Sequence, residues 1–449
     1  MPLSSTAMDH ANGAEMVSRA NAQPASLPSM VDPRFLPHVW LWTDQDGPSG
    51  WTGGGAFGPM LVLRGVEDLA RLDSPPEGIE PGHGRWIGWC SYEFGKILEL
   101  KAATPGGARQ DRRWPLGIFT YVARGDAKGV GPDIGGFAIG KPGTPESGGE
   151  RTRFDIGPLR SNTGREGYCE AVSRVIGLIH AGDVFQVNVT HRLSGTFRGD
   201  ALAFAREMMR RASPRYGGYF ELPMEDGLKR AVVSLSPELF FEFNAATGEI
   251  VTRPMKGTRP GTSDPAGLMT AAKDRAELDM IIDLMRNDLG RVCRYGSISV
   301  AARRRIESHA SGGLWQAVGE VKGRVREGVG VAEILRAVFP AGSITGAPKV
   351  RAMQIIDDVE AAQRGPYCGC FGYVDGTGGA AFNVSIRTVL ISGTGRADQP
   401  GIFEDAVLDY SVGAGIVAES DPESEWRETL DKASILSDHT VIVDVGSRR

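Results

Sequence analysis

The apolar positions of this chain change their period several times, and each change predicts an element. Val39 to Trp42, Met60 to Arg64 and Arg85 to Tyr92 are short apolar runs, the first and last rich in aromatics, separated by glycine-rich stretches, and they predict strands. Gly136 to Ile139 predicts a further one. From Gly164 the period lengthens: Tyr168, Val172, Val175, Ile176 and Ile179 recur at helical spacing, and Gly182 supplies the stop. Alternation follows in Val184 to Leu193, with Val184, Gln186, Asn188 and Thr190 on one face and Phe185, Val187 and Val189 on the other. A half-polar face of that kind either meets solvent or lines a cleft. Asp274 to Val292 and Asp421 to Leu436 predict helices, each with an aspartate at the N-cap, and in the second Pro422 takes the first helical position.

Gly140 to Arg153, GKPGTPESGGERTR, is a polar stretch rich in Pro and Gly and marks the best boundary in the chain. It separates a β-rich portion over 33–153 from a larger mixed portion over 154–440. A Ser-, Ala-, Asn- and Pro-rich tail over 1–32 predicts disorder, and 441–449 forms a short C-terminal tail. Trp40, Trp42, Trp51, Trp86 and Trp89 could line an effector pocket but read better as β-core.

Composition narrows the class. With 449 residues, 41% of them hydrophobic, the chain can bury a large core in one big domain or two ordinary ones. A net charge of −5 without a block of like charges leaves no electrostatic footprint for nucleic acid or an anionic membrane. Arg303 to Arg305 is the one basic cluster and reads as a solvated loop. Cys90, Cys169, Cys293, Cys368 and Cys370 are scattered without C-x-x-C pairs, which suggests neither a disulfide framework nor a zinc site and fits a reducing cytoplasm. No secretory signal and no stretch of about 18 apolar residues is present, so a soluble cytoplasmic protein is expected.

The candidate chemistry centres on Lys256, in Thr252 to Arg259 (TRPMKGTR), where Pro254 and Gly257 place it on a punctuated turn. A turn lysine by itself is an ordinary surface charge; its company argues otherwise. Glu238 follows Ser236 and Pro237 at the head of the apolar run LFFEF, where burial would raise its pKa as a general acid requires; an exposed strand-edge glutamate is the other reading. Glu277 stands three residues after Asp274, a capping-box spacing that explains it structurally, while Glu425 and Glu428 share one helix face. Two helices each presenting a carboxylate inward would make a hard-oxygen Mg²⁺ site open to substrate. Gly342 to Pro348, GSITGAP, leads into a helix and can turn N–H groups toward an anion, although the P-loop order is absent. A turn at Gly413, Ala414 and Gly415 offers further donors, and Arg387, on a strand in FNVSIRTV, offers a bidentate fork to a carboxylate. Together these groups suit a small substrate with two carboxylates.

Through DRAE, DLMRNDLGRV, GSITGAPKVRAM, RGPYCG, IRT, GAGIVAESDPESEW and ETLDKA, spread between Gly164 and Leu436, the chain resembles the chorismate-utilising enzymes. The resemblance implies one large α/β fold of two facing antiparallel sheets with helices outside, to which the N-terminal portion supplies strands. It also implies roles: Glu277 and Glu428 as Mg²⁺ ligands with Glu425 close by or bound through water, Glu238 as general acid, and Lys256 as nucleophile. Arg387 and Tyr367 would hold the enolpyruvyl carboxylate, and Gly413, Ala414 and Gly415 would lie at the carboxylate site. Gln186, Thr258, Thr345 and Lys432 are further substrate-binding candidates.

Within that family, Gln186 stands where isochorismate-forming members carry a water-activating lysine, which argues against water as the nucleophile. Lys256 and the Ser343-Ile-Thr345 stretch resemble the aminodeoxychorismate synthases more than the anthranilate synthases, which carry alanine at the position of Lys256. The expectation is amination of chorismate to 4-amino-4-deoxychorismate, with ammonia from a separate glutamine amidotransferase subunit because no glutaminase segment is visible. Anthranilate synthesis is the alternative, and a subunit that only binds chorismate is the alternative of another class; the set Glu238, Lys256, Glu277 and Glu428 speaks against the last. To attack, Lys256 must be neutral, which burial or a neighbouring cation such as Arg253 or Arg259 would favour. Trp315 replaces a histidine usual near the ring, Leu278 replaces an asparagine, and the Leu-Leu-Glu-Ser stretch of tryptophan-inhibited members is missing.

Overall fold

Long strands buried on both faces need two layers to cover them, and the chain supplies these by building two sheets that cover each other and packing helices on the outside. The computed structural model of the protein describes residues 38–42, 53–56, 58–102, 113–123, 154–225, 227–260, 272–308 and 314–443. The predicted tail over 1–32, the strand at 136–139, the linker at 140–153 and the last residues from 444 on lie outside the described residues.

Among the described residues one sheet has 11 strands and the other 10. Pairing is antiparallel throughout the described strands, except where Ile442–Val443 runs parallel to Leu159–Ser161. In the first sheet the strand Gln186–Asp200 lies along Ile402–Ile416, which continues through Thr388–Thr394 and Leu228–Ser236 to Tyr216–Glu225. In the second, Met255–Pro260 lies at one end, next to Leu314–Arg324, then Glu249–Arg253, Leu239–Asn244 and Ala380–Val384. The β-rich N-terminal portion completes both sheets instead of forming its own domain: His38–Trp42 adds to Tyr216–Glu225, and Gly84–Cys90 adds to Cys370–Asp375.

Val39, Leu41, Phe220, Val232 and Leu390 of the first sheet meet Ile87, Trp89, Ile118, Phe371 and Ala381 of the second in a dry layer between them. Trp86 and Trp89 are core residues, as their aromatic β-run predicts. Gly218 allows close approach there, since a Cβ on it would stand 2.2 Å from the Phe371 ring. Outside the sheets, Ala272–Gly290 packs on Met255–Pro260, Ser299–Ser308 and Leu314–Arg324 of the second, whereas Lys349–Val359 packs on Gln186–Asp200 and Ala201–Ala212 on Tyr216–Glu225 and Leu228–Ser236 of the first.

The helix at Gly164–His180 matches its periodicity, and Gly182 follows it at φ +84°. Asp421 caps Pro422–Ala433, its carboxylate accepting the Ser424 N–H at 2.9 Å. Several local expectations are corrected. The helix expected from Asp274 begins at Ala272, so Asp274 lies inside it and the capping-box explanation of Glu277 falls away. Arg303 to Arg305 sit on the strand Ser299–Ser308, not in a loop. Thr252 to Arg259 is not a turn: Thr252 and Arg253 end one strand and Met255–Pro260 is another. Gly413 to Gly415 also lie within a strand, paired with Thr190, Val189 and Asn188. Gly413 and Gly415 serve close packing and Gly257 a left-handed position in a bulge, neither of which can be told from a turn signal in sequence.

Candidate active site

Lys256 stands opposite Ala317 and Thr258 opposite Gln316, with the register broken between them at Gly257, φ +73°. This is a bulge in which glycine takes the left-handed position, and it aims the lysine. The Lys256 Nζ lies 3.8 Å from Glu277 Oε2 on the helix Ala272–Gly290, both side chains being largely buried. On its other side is Gly415. A Cβ there would stand 3.1 Å from Lys256 Nζ, 2.6 Å from Gln186 Nε2 and 3.2 Å from Asn188 Oδ1, so an ammonium and two amides converge on the space a missing side chain leaves.

Gln186 is 0% exposed, and neither atom of its amide has a hydrogen-bond partner among the described residues. An orphaned buried amide costs about 1 to 3 kcal/mol, which a bound ligand can offset. Asn188 is oriented: its Nδ2 donates to Ser343 O at 2.8 Å, which turns its Oδ1 toward the same space. The alternating polar face of this strand is thus buried within the protein, not turned to solvent.

Glu238 closes the site from the head of Leu239–Asn244 and is 4% exposed. Burial pushes its pKa up to about 7, against the smaller lowering influences of Ser343, Lys256 and the Met255 N–H. The Ser343 hydroxyl makes no hydrogen bond of full geometry, so its influence is one of proximity. Arg253 faces away, paired with Glu307 and 3.4 Å from Glu320, and adds no cation beside Lys256.

Arg387 is not on a strand. It occupies the crossover between Ala380–Val384 of the second sheet and Thr388–Thr394 of the first, at φ +51°. Its guanidinium has no hydrogen bond or ion pair to the described residues, and burial lowers its pKa below the usual value, which leaves it suited to an incoming carboxylate. Tyr367 is buried, and loss of water raises its phenol well above the usual range.

The remaining candidates are less gathered. Thr345 donates its hydroxyl to Ala341 O at 3.1 Å, closing its own turn. Thr258 enters through its backbone pairing. Lys432 Nζ donates at 2.7 Å to both Gly413 O and Glu428 Oε1, at the surface. Glu425 is buried beside Tyr168, whose phenol it helps to raise. Among the described residues no three Asp, Glu, His or Cys side chains are grouped closely enough to hold a metal ion.

Some residues of the site carried no assignment from sequence. Arg364 and Glu360 form a buried ion pair behind it, and Lys349 donates to Asp288 Oδ2 at 2.6 Å, tying two of the outer helices together. No local signal marks the pair of Glu360 and Arg364, since the helix Lys349–Val359 ends before them.

Residues 61–438 match the family of chorismate binding enzymes. Component 1 of aminodeoxychorismate synthase from Klebsiella aerogenes is 39% identical over 61% of this chain and 58% of that protein, so the aligned part spans somewhat over half of that relative. An anthranilate synthase component 1 from Haloarcula marismortui is 37% identical over 78% of this chain and 72% of that one. Anthranilate synthase component I from Streptococcus pneumoniae has a similar solved fold, with a TM-score of 0.64 at 20% identity, covering 94% of this chain and 95% of that one.

Proposed function

The chain belongs to the chorismate binding enzyme family, and from that premise we propose that it is component I of an aminodeoxychorismate synthase, converting chorismate and ammonia to 4-amino-4-deoxychorismate for para-aminobenzoate and folate synthesis. The observation that supports this branch is Lys256, aimed by its bulge into a space shared with the orphaned amide of Gln186 and lying close enough to Glu238 to influence its carboxyl.

In the proposed reaction the Lys256 amine attacks C2 of the chorismate ring. The ring double bonds shift, and the 4-hydroxyl leaves as water by taking the proton of Glu238, which its raised pKa keeps available near neutrality. Ammonia then attacks C4, the shift reverses, the C2–N bond to Lys256 breaks and returns its electron pair to the lysine nitrogen, and the new C4 ammonium gives one proton to the Glu238 carboxylate, leaving the amine. Arg387 and Tyr367 hold the enolpyruvyl carboxylate. Gln186 and Asn188 flank the lysine and exclude water from its place.

Mg²⁺ is part of the proposal through the carboxylates of Glu277 and Glu428, since Mg²⁺ commonly takes only one or two protein carboxylates and completes its shell with substrate and water. Glu277 and Glu428, with Glu425 near, would hold it, and when bound it would neutralise the ring carboxylate. Ammonia would come from a separate glutamine amidotransferase subunit in the cytoplasm. No helix among the described residues is long and apolar enough to cross a membrane.

Anthranilate synthesis is the second reading, favoured by relatives of that name at nearly the same identity. Mass analysis of the product from chorismate, Mg²⁺ and an ammonium salt separates the two: 4-amino-4-deoxychorismate is expected, and fluorescent anthranilate would overturn the proposed branch. Excess chelator should stop turnover, and Mg²⁺ should restore it. Glu277→Gln and Glu428→Gln should each abolish turnover while remaining folded; full activity in either would remove the metal from the proposal.

A further inference from the structure

Arg364 has 2% of its side chain exposed and Glu360, its partner, 5%. Its fork spans several segments. Nη1 donates to Ile344 O at 2.8 Å, Nη2 to Asn188 O at 2.9 Å and to Glu360 Oε1 at 2.6 Å, and Nε to Glu360 Oε2 at 2.9 Å. Glu360 Oε1 in turn accepts the Thr190 N–H at 2.9 Å. From the other side the Glu93 carboxylate accepts the N–H groups of Arg364 and Gly365 at 2.9 and 3.0 Å, and the guanidinium carbon lies 4.5 Å from the centre of the Tyr92 ring.

What these bonds hold is the wall of the site. Ile344 follows Ser343, whose carbonyl orients Asn188, and Asn188 is two residues from Gln186 on the same strand. We propose that Arg364 is a positioning residue: oriented by Glu360, its fork clamps the 342–344 turn to the 186–200 strand and so fixes Gln186, Asn188 and Ser343 relative to Lys256 and Glu238. A buried ion pair kept for stability alone has little advantage over apolar packing of the same volume. A planar fork that reaches carbonyls on two segments at once supplies geometry, which a lysine ammonium does not reproduce. The kinetic half of this inference rests on the reaction proposed above; the structural half does not.

Two variants test it. Arg364→Lys keeps the charge beside Glu360 and loses the fork; Arg364→Met combined with Glu360→Leu removes both charges with little change of volume, should the first variant not fold. Amide hydrogen exchange is followed without substrate, and kcat and KM are measured as chorismate consumption with Mg²⁺ and ammonium sulfate. Exchange over 186–190 and 342–347 should rise about tenfold or more, with 230–235 and 389–391 unchanged. The kcat should fall about 10- to 100-fold, with KM for chorismate within about threefold. Unchanged exchange in the two clamped segments overturns the proposal, as does a kcat within about twofold of native. The exchange measurement reads the clamp even where native protein leaves chorismate unconsumed, a result that would count against the proposed reaction instead.

Discussion

Lys229 and Lys256 are both buried lysines facing a glutamate, 3.6 Å from Glu221 and 3.8 Å from Glu277, but their surroundings differ in what is left unspent. Lys229 Nζ donates to Gln399 O at 2.5 Å, Ile402 O at 2.9 Å and Arg396 O at 3.3 Å. Glu221 beside it accepts the Gly401 N–H at 2.7 Å and the Tyr219 hydroxyl at 3.2 Å. All three hydrogens of that ammonium are used, and the pair staples the 396–402 loop to its sheet. Beyond its ion pair with Glu277 the Lys256 Nζ makes no hydrogen bond to the described residues, and the Gln186 amide next to it has no partner among them either. A satisfied buried charge belongs to the fold, whereas one surrounded by unsatisfied polar groups marks a place for something else.

Exchanging the two lysines for apolar residues is the sharpest way to break this contrast. Lys256→Ala should lower formation of 4-amino-4-deoxychorismate about a thousandfold or more with the unfolding midpoint close to native, read by product mass analysis and urea denaturation. Lys229→Met should do the reverse, costing about 3 to 5 kcal/mol in urea because Glu221 and three carbonyls lose their cation, with turnover per folded molecule within about twofold of native. Comparable stability losses in both, with activity kept, would make Lys256 another staple.

Glu238 sharpens the contrast next. Its carboxyl, raised to about 7 by burial, is a proton donor only below that range, so kcat should decline as pH rises through about 7. Glu238→Gln should cost about a hundredfold or more. The stability sign runs with the same shift: folding favours the protonated form, so its stabilising contribution is full below the ordinary carboxyl value of 4.5 and is lost as pH rises through about 7. Glu238→Gln should therefore be more stable than native at pH 9 by up to about 3 kcal/mol, and little different at pH 4, in urea titrations at the two pH values. An equal difference at both would place Glu238 in contact with water.

The smallest expected effect separates two glycines of one strand. A Cβ on Gly415 meets the side-chain tips of Gln186 and Lys256, whereas one on Gly413 meets the backbone oxygen of Val189 at 2.5 Å. Gly415→Ala should lower kcat/KM about tenfold without loss of stability, because it fills the space beside the lysine. Gly413→Ala should instead lower the thermal midpoint, because it pushes two paired strands apart.

Much of this molecule was legible in the sequence because the features concerned are local. A 3.6-residue period gives the helix Gly164–His180 and a carboxylate next to three open N–H groups gives the cap at Asp421, each set by residues within a turn or two of one another. The Ser-Pro-Glu step before an apolar strand left a buried and an exposed strand-edge carboxyl both open at Glu238, and packing of the two sheets buried it. Glycine, lysine and arginine were read less well, since their local preferences allow several outcomes. Gly413 and Gly415 signal a turn or a close approach equally, and the partner strand Gln186–Asp200, more than 200 residues away in sequence, decided for close approach. Arg387 became a crossover between sheets, which no period of two or 3.6 residues encodes. The tertiary structure alone determined that Gln186, Lys256 and Gly415 share one space, that Arg364 ties its walls together, and that Lys229 is spent while Lys256 is not. Each of these depends on which groups lose water together, and desolvation is a property of the packed assembly, not of a stretch of chain.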